Sequence, residues 1–185
     1  MTHLRHPPGF QNGIAERLQG SGRSPEAVAA LLDIDQRLFL WQRSVAKGET
    51  VQRMIGALGL GIEPAEFSAL MAVSRITHGV GRTAPEPATV GALAGELSLD
   101  PSRASRLAQQ LIAHGLVRRE VAQDDARKTI LVLTDQAKQV LVGIRDQKWD
   151  RYQQTFAGWS DEDIIAFDRL FSRFLDGQAA AWKQD

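Results

Sequence analysis

Apolar residues recur along most of this chain at spacings of three and four, the signature of helices with one buried face. The first clear run opens at Ser24-Pro25-Glu26, an N-cap, a first-turn proline and a carboxylate near the positive helix end. Val28, Leu31, Leu32, Leu38, Phe39 and Val45 keep helical spacing from there to Gly48. At Leu38-Phe39-Leu40-Trp41 the helix is apolar almost all round, which predicts cover on two sides. A short helix is expected over 51–58 and another from Pro64, with Phe67, Leu70, Met71 and Val73 facing inward. Residues 77–88 hold two glycines and two prolines and read as a loop. Residues 1–23, with Pro-Pro-Gly and Gly-Ser-Gly, read as a flexible arm.

In the middle of the chain Thr89 caps a helix whose Val90, Leu93, Ala94 and Leu97 fall at i, i+3, i+4 and i+7. Only Ser98, Leu99 and Asp100 intervene before Pro101 opens the next helix, so the pair reads as a helix-turn-helix. At about 100° per residue, Ala104, Leu107, Ala108, Leu111 and Ile112 share one arc of that second helix. Ser102, Arg103, Ser105, Arg106, Gln109, Gln110 and Ala113 fill the other. Gly115 ends the helix, after which Val117–Val121 and Lys128–Leu133 flank a polar tip at 122–127, a β-hairpin or wing. Two helices should follow. Thr134 caps the first, with Ala137, Leu141, Ile144, Tyr152 and Phe156 as its stripe; Ser160 with Asp163 opens the second, which carries Ile164, Phe167, Leu170, Phe171, Phe174 and Leu175. The fold class is therefore mainly α with a small β-hairpin wing: a winged helix-turn-helix plus N- and C-terminal dimerisation helices.

Composition changes this picture little. The 43% hydrophobic and 24% charged residues are ordinary for a water-soluble domain, and no apolar run is long enough for a membrane span or an export signal. No membrane partner and a cytoplasmic location are expected. The absence of cysteine excludes disulfides and thiolate chemistry. Four histidines with no i, i+4 pair argue against zinc, and Gly59-Leu60-Gly61 lacks the third glycine of a dinucleotide fingerprint. His114 beside Gly115 reads as a helix-end residue, and Asp161-Glu162-Asp163 as first-turn acids. No nucleophile–base pair, metal set, cofactor or phosphate loop supports an enzyme.

Net charge is zero, from 22 basic and 22 acidic side chains, which by itself argues against a nucleic-acid partner. Distribution matters more. From Pro101 to Arg119 there are four arginines and no acid. Arginine can donate two hydrogen bonds to guanine, and glutamine can pair bidentately with adenine. Arg103, Arg106, Gln109 and Gln110 are accordingly assigned to base or nearby backbone contact, and Ser102 and Ser105, at the helix start, to phosphate. Arg118, Arg119 and Lys128 add positive charge on the wing. An isolated polar arc is equally well explained as a solvated face.

The stretch 89–134 resembles the MarR family of transcriptional regulators. The resemblance rests on L-A-x-x-L at Leu93–Leu97, D-P-S-x-x-S-R-L at Asp100–Leu107, G-L-V-x-R at Gly115–Arg119, D-x-R at Asp125 and Arg127, and L-T at Leu133-Thr134. It extends more weakly over about 24–182. Departures are Ala137 where the family commonly has glycine, the longer loop 77–88 and the arm before Ser24.

The resemblance implies a regulator that binds double-stranded DNA, with Arg127 entering the minor groove and Asp125 orienting it. It implies a repressor released by a small aromatic or lipophilic effector, held between the dimerisation helices and the winged domain. Phe39, Trp41, Phe67 and Met71 are candidates to line that pocket, although core packing alone also explains them. The organisation expected is an arm at 1–23 and one domain at 24–185, in which 24–58 and 135–185 dimerise and 59–134 bind DNA. Terminal helices this apolar argue for a homodimer, and a two-fold dimer for an inverted-repeat operator. The alternative is a winged helix that binds a protein and no DNA.

Overall fold

The computed structural model describes residues 13–122 and 128–181 of the chain. They form eight helices and one hairpin: α1 Ile14–Gly20, α2 Pro25–Ala46, α3 Glu49–Ala57, α4 Pro64–His78, α5 Val90–Leu97, α6 Pro101–Ala113, β1 Val117–Val121, β2 Thr129–Leu133, α7 Asp135–Phe156 and α8 Asp161–Ala181. Two compact units divide at Phe67 and Ser68, within α4. None of these helices is long and apolar enough to cross a membrane.

The first unit contains α1 to α3. Ser24 Oγ accepts from Ala27 N at 3.2 Å and Pro25 takes the first turn, so α2 starts as its sequence dictates. Residues 14–20, expected to be part of a flexible arm, are instead helical and lie beside α2. Ala15 and Leu18 give this short segment an apolar side, and the glycines read as loop formers only bound it: Gly13 adopts φ +78 at its start. The two-sided cover expected of the apolar girdle at Leu38–Trp41 is not seen among the described residues; Phe39 and Trp41 are exposed. At the start of α4, Glu66 reaches back to accept from Glu63 N at 2.7 Å, satisfying a donor the helix cannot.

The second unit is built on Leu70, Val73, Ile76, Leu93, Leu111 and Val117, all fully or almost fully buried. Strands β1 and β2 pair antiparallel, with Val117 opposite Leu133 and Arg119 opposite Leu131. Two contacts fix this hairpin. Leu131 N donates to Ala88 O at 2.6 Å, joining β2 to the end of the loop before α5. Thr134 Oγ1 donates to Gly115 O at 2.7 Å and accepts from Ala137 N at 3.2 Å, so one hydroxyl closes the hairpin and caps α7. Between α7 and α8, Trp149, Tyr152, Phe156, Trp159, Phe167 and Phe171 make successive ring contacts with centroids 5.1–6.3 Å apart.

The loop 77–88 is tied down by charge. Glu96 on α5 accepts from Arg75 Nε and Arg82 Nη2, each at 2.7 Å, and Arg82 Nη1 reaches Glu86 at 2.6 Å. Hydrogen bonds from Arg82 and then Arg75 hold the Glu96 carboxyl below its ordinary range. Gly79, at φ +69, is obligatory here: a β-carbon would lie 2.7 Å from Pro85 N and 3.0 Å from Ala84 C.

Candidate nucleic-acid interface

Helix α6 starts at Asp100, whose Oδ1 accepts from Arg103 N at 2.9 Å, with Pro101 in the first turn. It ends where Gly115, at φ +69, lets Gly115 N reach Ile112 O and Leu116 N reach Leu111 O, both at 2.9 Å. This paired closure satisfies the last carbonyls and turns the chain into β1. His114 occupies the C-cap, as its position beside Gly115 suggested. The preceding turn is equally tight: Ser98 closes α5 at φ +53, with Leu99 N on Ala94 O at 2.9 Å.

The two arcs read from the sequence are physically separated. Ala104, Ala108 and Leu111 are buried, and Leu107 and Ile112 half-buried. Ser102, Arg103, Arg106 and Gln109 are exposed, while Ser105 and Gln110 are half-buried at the edges of the polar arc. A helix that buries one side fixes the direction in which the other points. The structure brings these six residues onto one exposed helix surface, with no ion pair engaging the guanidinium of Arg103 or Arg106 among the described residues.

The wing completes the basic surface only in part. Arg118 and Arg119 on β1 are exposed, and Lys128, half-buried, accepts through its backbone carbonyl from Ala122 N at 2.8 Å at the base of the tip. Asp125 and Arg127 lie outside the described residues. Sequence reasoning missed that Arg118 is paired: its Nε and Nη2 lie 2.7 and 2.6 Å from one oxygen of Glu120. The signal was present, since residues two apart on a strand share a face.

Of the candidate ligand-contacting residues, Phe39 and Trp41 are exposed on α2; on α4, Phe67 is buried and Met71 half-buried. No group of three or more metal-ligating side chains occurs among the described residues. Asp161, Glu162 and Asp163 lie in the first turn of α8, where Asp163 N donates to Ser160 Oγ at 3.1 Å.

A winged helix-turn-helix with a free polar face on its second helix defines a class of nucleic-acid-reading folds. Residues 60–128 match the model of the MarR family. The chain is 33% identical over 87 residues to the uncharacterized HTH-type transcriptional regulator YxaD of Bacillus subtilis, a match covering 47% of this chain and 61% of that protein. It therefore spans about three fifths of that curated relative's length. Its fold is similar to that of a MarR family protein from Bacillus stearothermophilus, with TM-score 0.60 and 17% identity over 85% of this chain and 99% of the other. A mutant of MepR from S. aureus, solved bound to an oligodeoxyribonucleotide, aligns with TM-score 0.53 and 16% identity over 76% of this chain and 97% of its own.

Proposed function

We propose that this protein is a sequence-specific, DNA-binding transcriptional regulator that reads an inverted-repeat operator as a symmetric homodimer in the cytoplasm. One observation carries the reading: α6 buries Ala104, Ala108 and Leu111 and thereby aims exposed Arg103, Arg106 and Gln109 outward on a rigid scaffold. Arg103, Arg106, Gln109 and Gln110 then meet base edges or nearby backbone, and Ser102 and Ser105 meet phosphate. Arg127 enters the minor groove, with Asp125 orienting it. The family match supports the same reading, as does a fold shared with a MepR mutant that was solved on DNA.

The homodimer is argued from surface the single chain leaves open. Helix α8 buries none of its residues, and Phe167, Leu170, Phe171 and Leu175 are each more than two-fifths exposed. Such a face is costly in water and resembles half of an obligate interface. Two subunits related by a two-fold axis present their α6 helices to successive major grooves, about 34–36 Å apart. In this reading the 59–134 segment binds DNA, and 24–58 and 135–185 assemble the dimer. The protein represses, and a small aromatic or lipophilic ligand releases it; exposed Phe39 and Trp41 on α2 are the first residues to test for contact with it, before Phe67 and Met71.

The test is selection of bound fragments from a random duplex pool, followed by footprinting. Two protected half-sites about 10 base pairs apart, in inverted orientation, are expected. Failure to enrich any sequence, with no salt-dependent duplex binding, refutes the proposal in favour of a winged helix that binds protein.

A further inference from the structure

The two adjacent arginines of β1 look interchangeable in the sequence, yet the strand sends them to opposite faces of the wing. Arg118 shares its face with Glu120, and both its Nε and its Nη2 lie within 2.7 Å of the same Glu120 oxygen. It also acts on a second acid. The Asp135 carboxyl is held below its ordinary range chiefly by the hydrogen bond from Lys138, and the Arg118 charge adds to that effect. Among the described residues the ion-pair partner of Arg118 is Glu120, two positions along the same strand.

Arg119 has a different environment. Among the described residues its face of the hairpin holds Val117, Val121, Thr129, Leu131 and Leu133, and no acid. Val117, Leu131 and Leu133 are buried, so this face turns into the core at its base and emerges at Arg119 and Val121, both exposed. No ion pair engages Arg119 among the described residues.

Salt dependence counts net neutralisation. An arginine that reaches a phosphate while leaving its own carboxylate beside the DNA replaces one counterion and demands another, so the pair contributes close to nothing. An arginine with no acid on its face contributes in full. We infer that Arg119 supplies the phosphate contact of strand β1, and that Glu120 withholds Arg118 from DNA. The inference rests on the DNA-binding reading and deepens it: one of two arginines assigned to DNA is neutralised by an acid of its own strand, and Glu120 limits non-specific affinity.

The experiment is a salt titration of random-sequence duplex binding, read by fluorescence anisotropy, for the full-length protein and the variants Arg119→Gln, Arg119→Lys, Arg118→Gln and Glu120→Gln. Each phosphate neutralised adds about 0.9 to the log–log slope, hence about 1.8 for the two wings of a dimer. Arg119→Gln should lower the slope by that amount and Arg119→Lys should restore it, since a phosphate requires only the charge. Arg118→Gln should leave the slope unchanged, and Glu120→Gln should steepen it by releasing Arg118. Equal slope losses from Arg118→Gln and Arg119→Gln, or an unmoved slope in Glu120→Gln, overturn this inference alone. Absence of salt-dependent duplex binding by the wild-type protein overturns the DNA-binding reading, and this inference with it.

Discussion

Gly79 and Gly81 sit two residues apart in the loop that leads to α5, with nearly identical backbone conformations of φ +69 and +72. Replacing either by alanine imposes a left-handed conformation on an L residue, at about 1–2 kcal/mol. Part of this is offset by about 0.4–1 kcal/mol, because alanine also restricts the unfolded chain. The two sites differ in space. A β-carbon at Gly81 meets nothing within 4 Å, whereas one at Gly79 lies 2.7 Å from Pro85 N and 3.0 Å from Ala84 C. These are backbone atoms and cannot swing aside, so overpacking adds about 1–3 kcal/mol at Gly79 alone. In a chain of this length each kcal/mol moves Tm by about 2–4 °C. Thermal unfolding followed by circular dichroism, at one protein concentration, should place Gly79→Ala roughly 5 °C below Gly81→Ala. The loop ends at Ala88, whose carbonyl holds β2 through Leu131 N, so Gly79→Ala should also weaken duplex binding while Gly81→Ala should not. Equal Tm values for the two variants would refute the packing of this loop.

Other expectations follow from the same contacts. Because Arg82 and Arg75 lower the Glu96 pKa from 4.5, the ionised carboxylate stabilises the fold at pH values above that figure, and the gain is lost as pH falls through the lowered value. The urea midpoint of the wild-type protein should therefore exceed that of Glu96→Gln at neutral pH, and the gap should close in acid; a gap independent of pH contradicts this. Leu111→Ala, at a fully buried position beneath the polar arc, should cost about 2–5 kcal/mol with an unchanged denaturant slope. Asp100→Ala removes the cap of α6 and should cost about 1 kcal/mol, checked by the same unfolding curves.

Local chemistry made much of the fold legible in the sequence. Ser24, Thr89, Asp100, Thr134 and Ser160 each accept from a backbone N–H three residues on, so capping fixes the starts of five helices where the sequence placed them. The two arcs of α6 were equally readable, because helical periodicity alone sorts Ala104 and Leu111 from Arg103 and Arg106. Contacts between residues distant in the chain were not. Arg75 and Arg82 lie 21 and 14 positions from Glu96, and no local pattern announces that they meet. Helix α1 was missed because a seven-residue segment bounded by glycine has too little periodicity to outweigh its loop-like flanks. The girdle at Leu38–Trp41 was read correctly as apolar all round, but Phe39, Leu40 and Trp41 are exposed among the described residues. The Arg118–Glu120 pair was readable from strand alternation and was overlooked because positive charge was counted without its partner.

The central claim is that α6 reads sequence, and it is tested most directly by comparing affinity for a selected operator with that for a scrambled duplex, in wild-type protein and in Arg106→Ala. The account predicts a wild-type preference on the order of 10³-fold or more. Arg106→Ala should lose about 1–3 kcal/mol on the operator, with preference relaxed at one base position and binding to the scrambled duplex nearly unchanged. Equal wild-type affinity for both duplexes, or equal losses on both from Arg106→Ala, would contradict it.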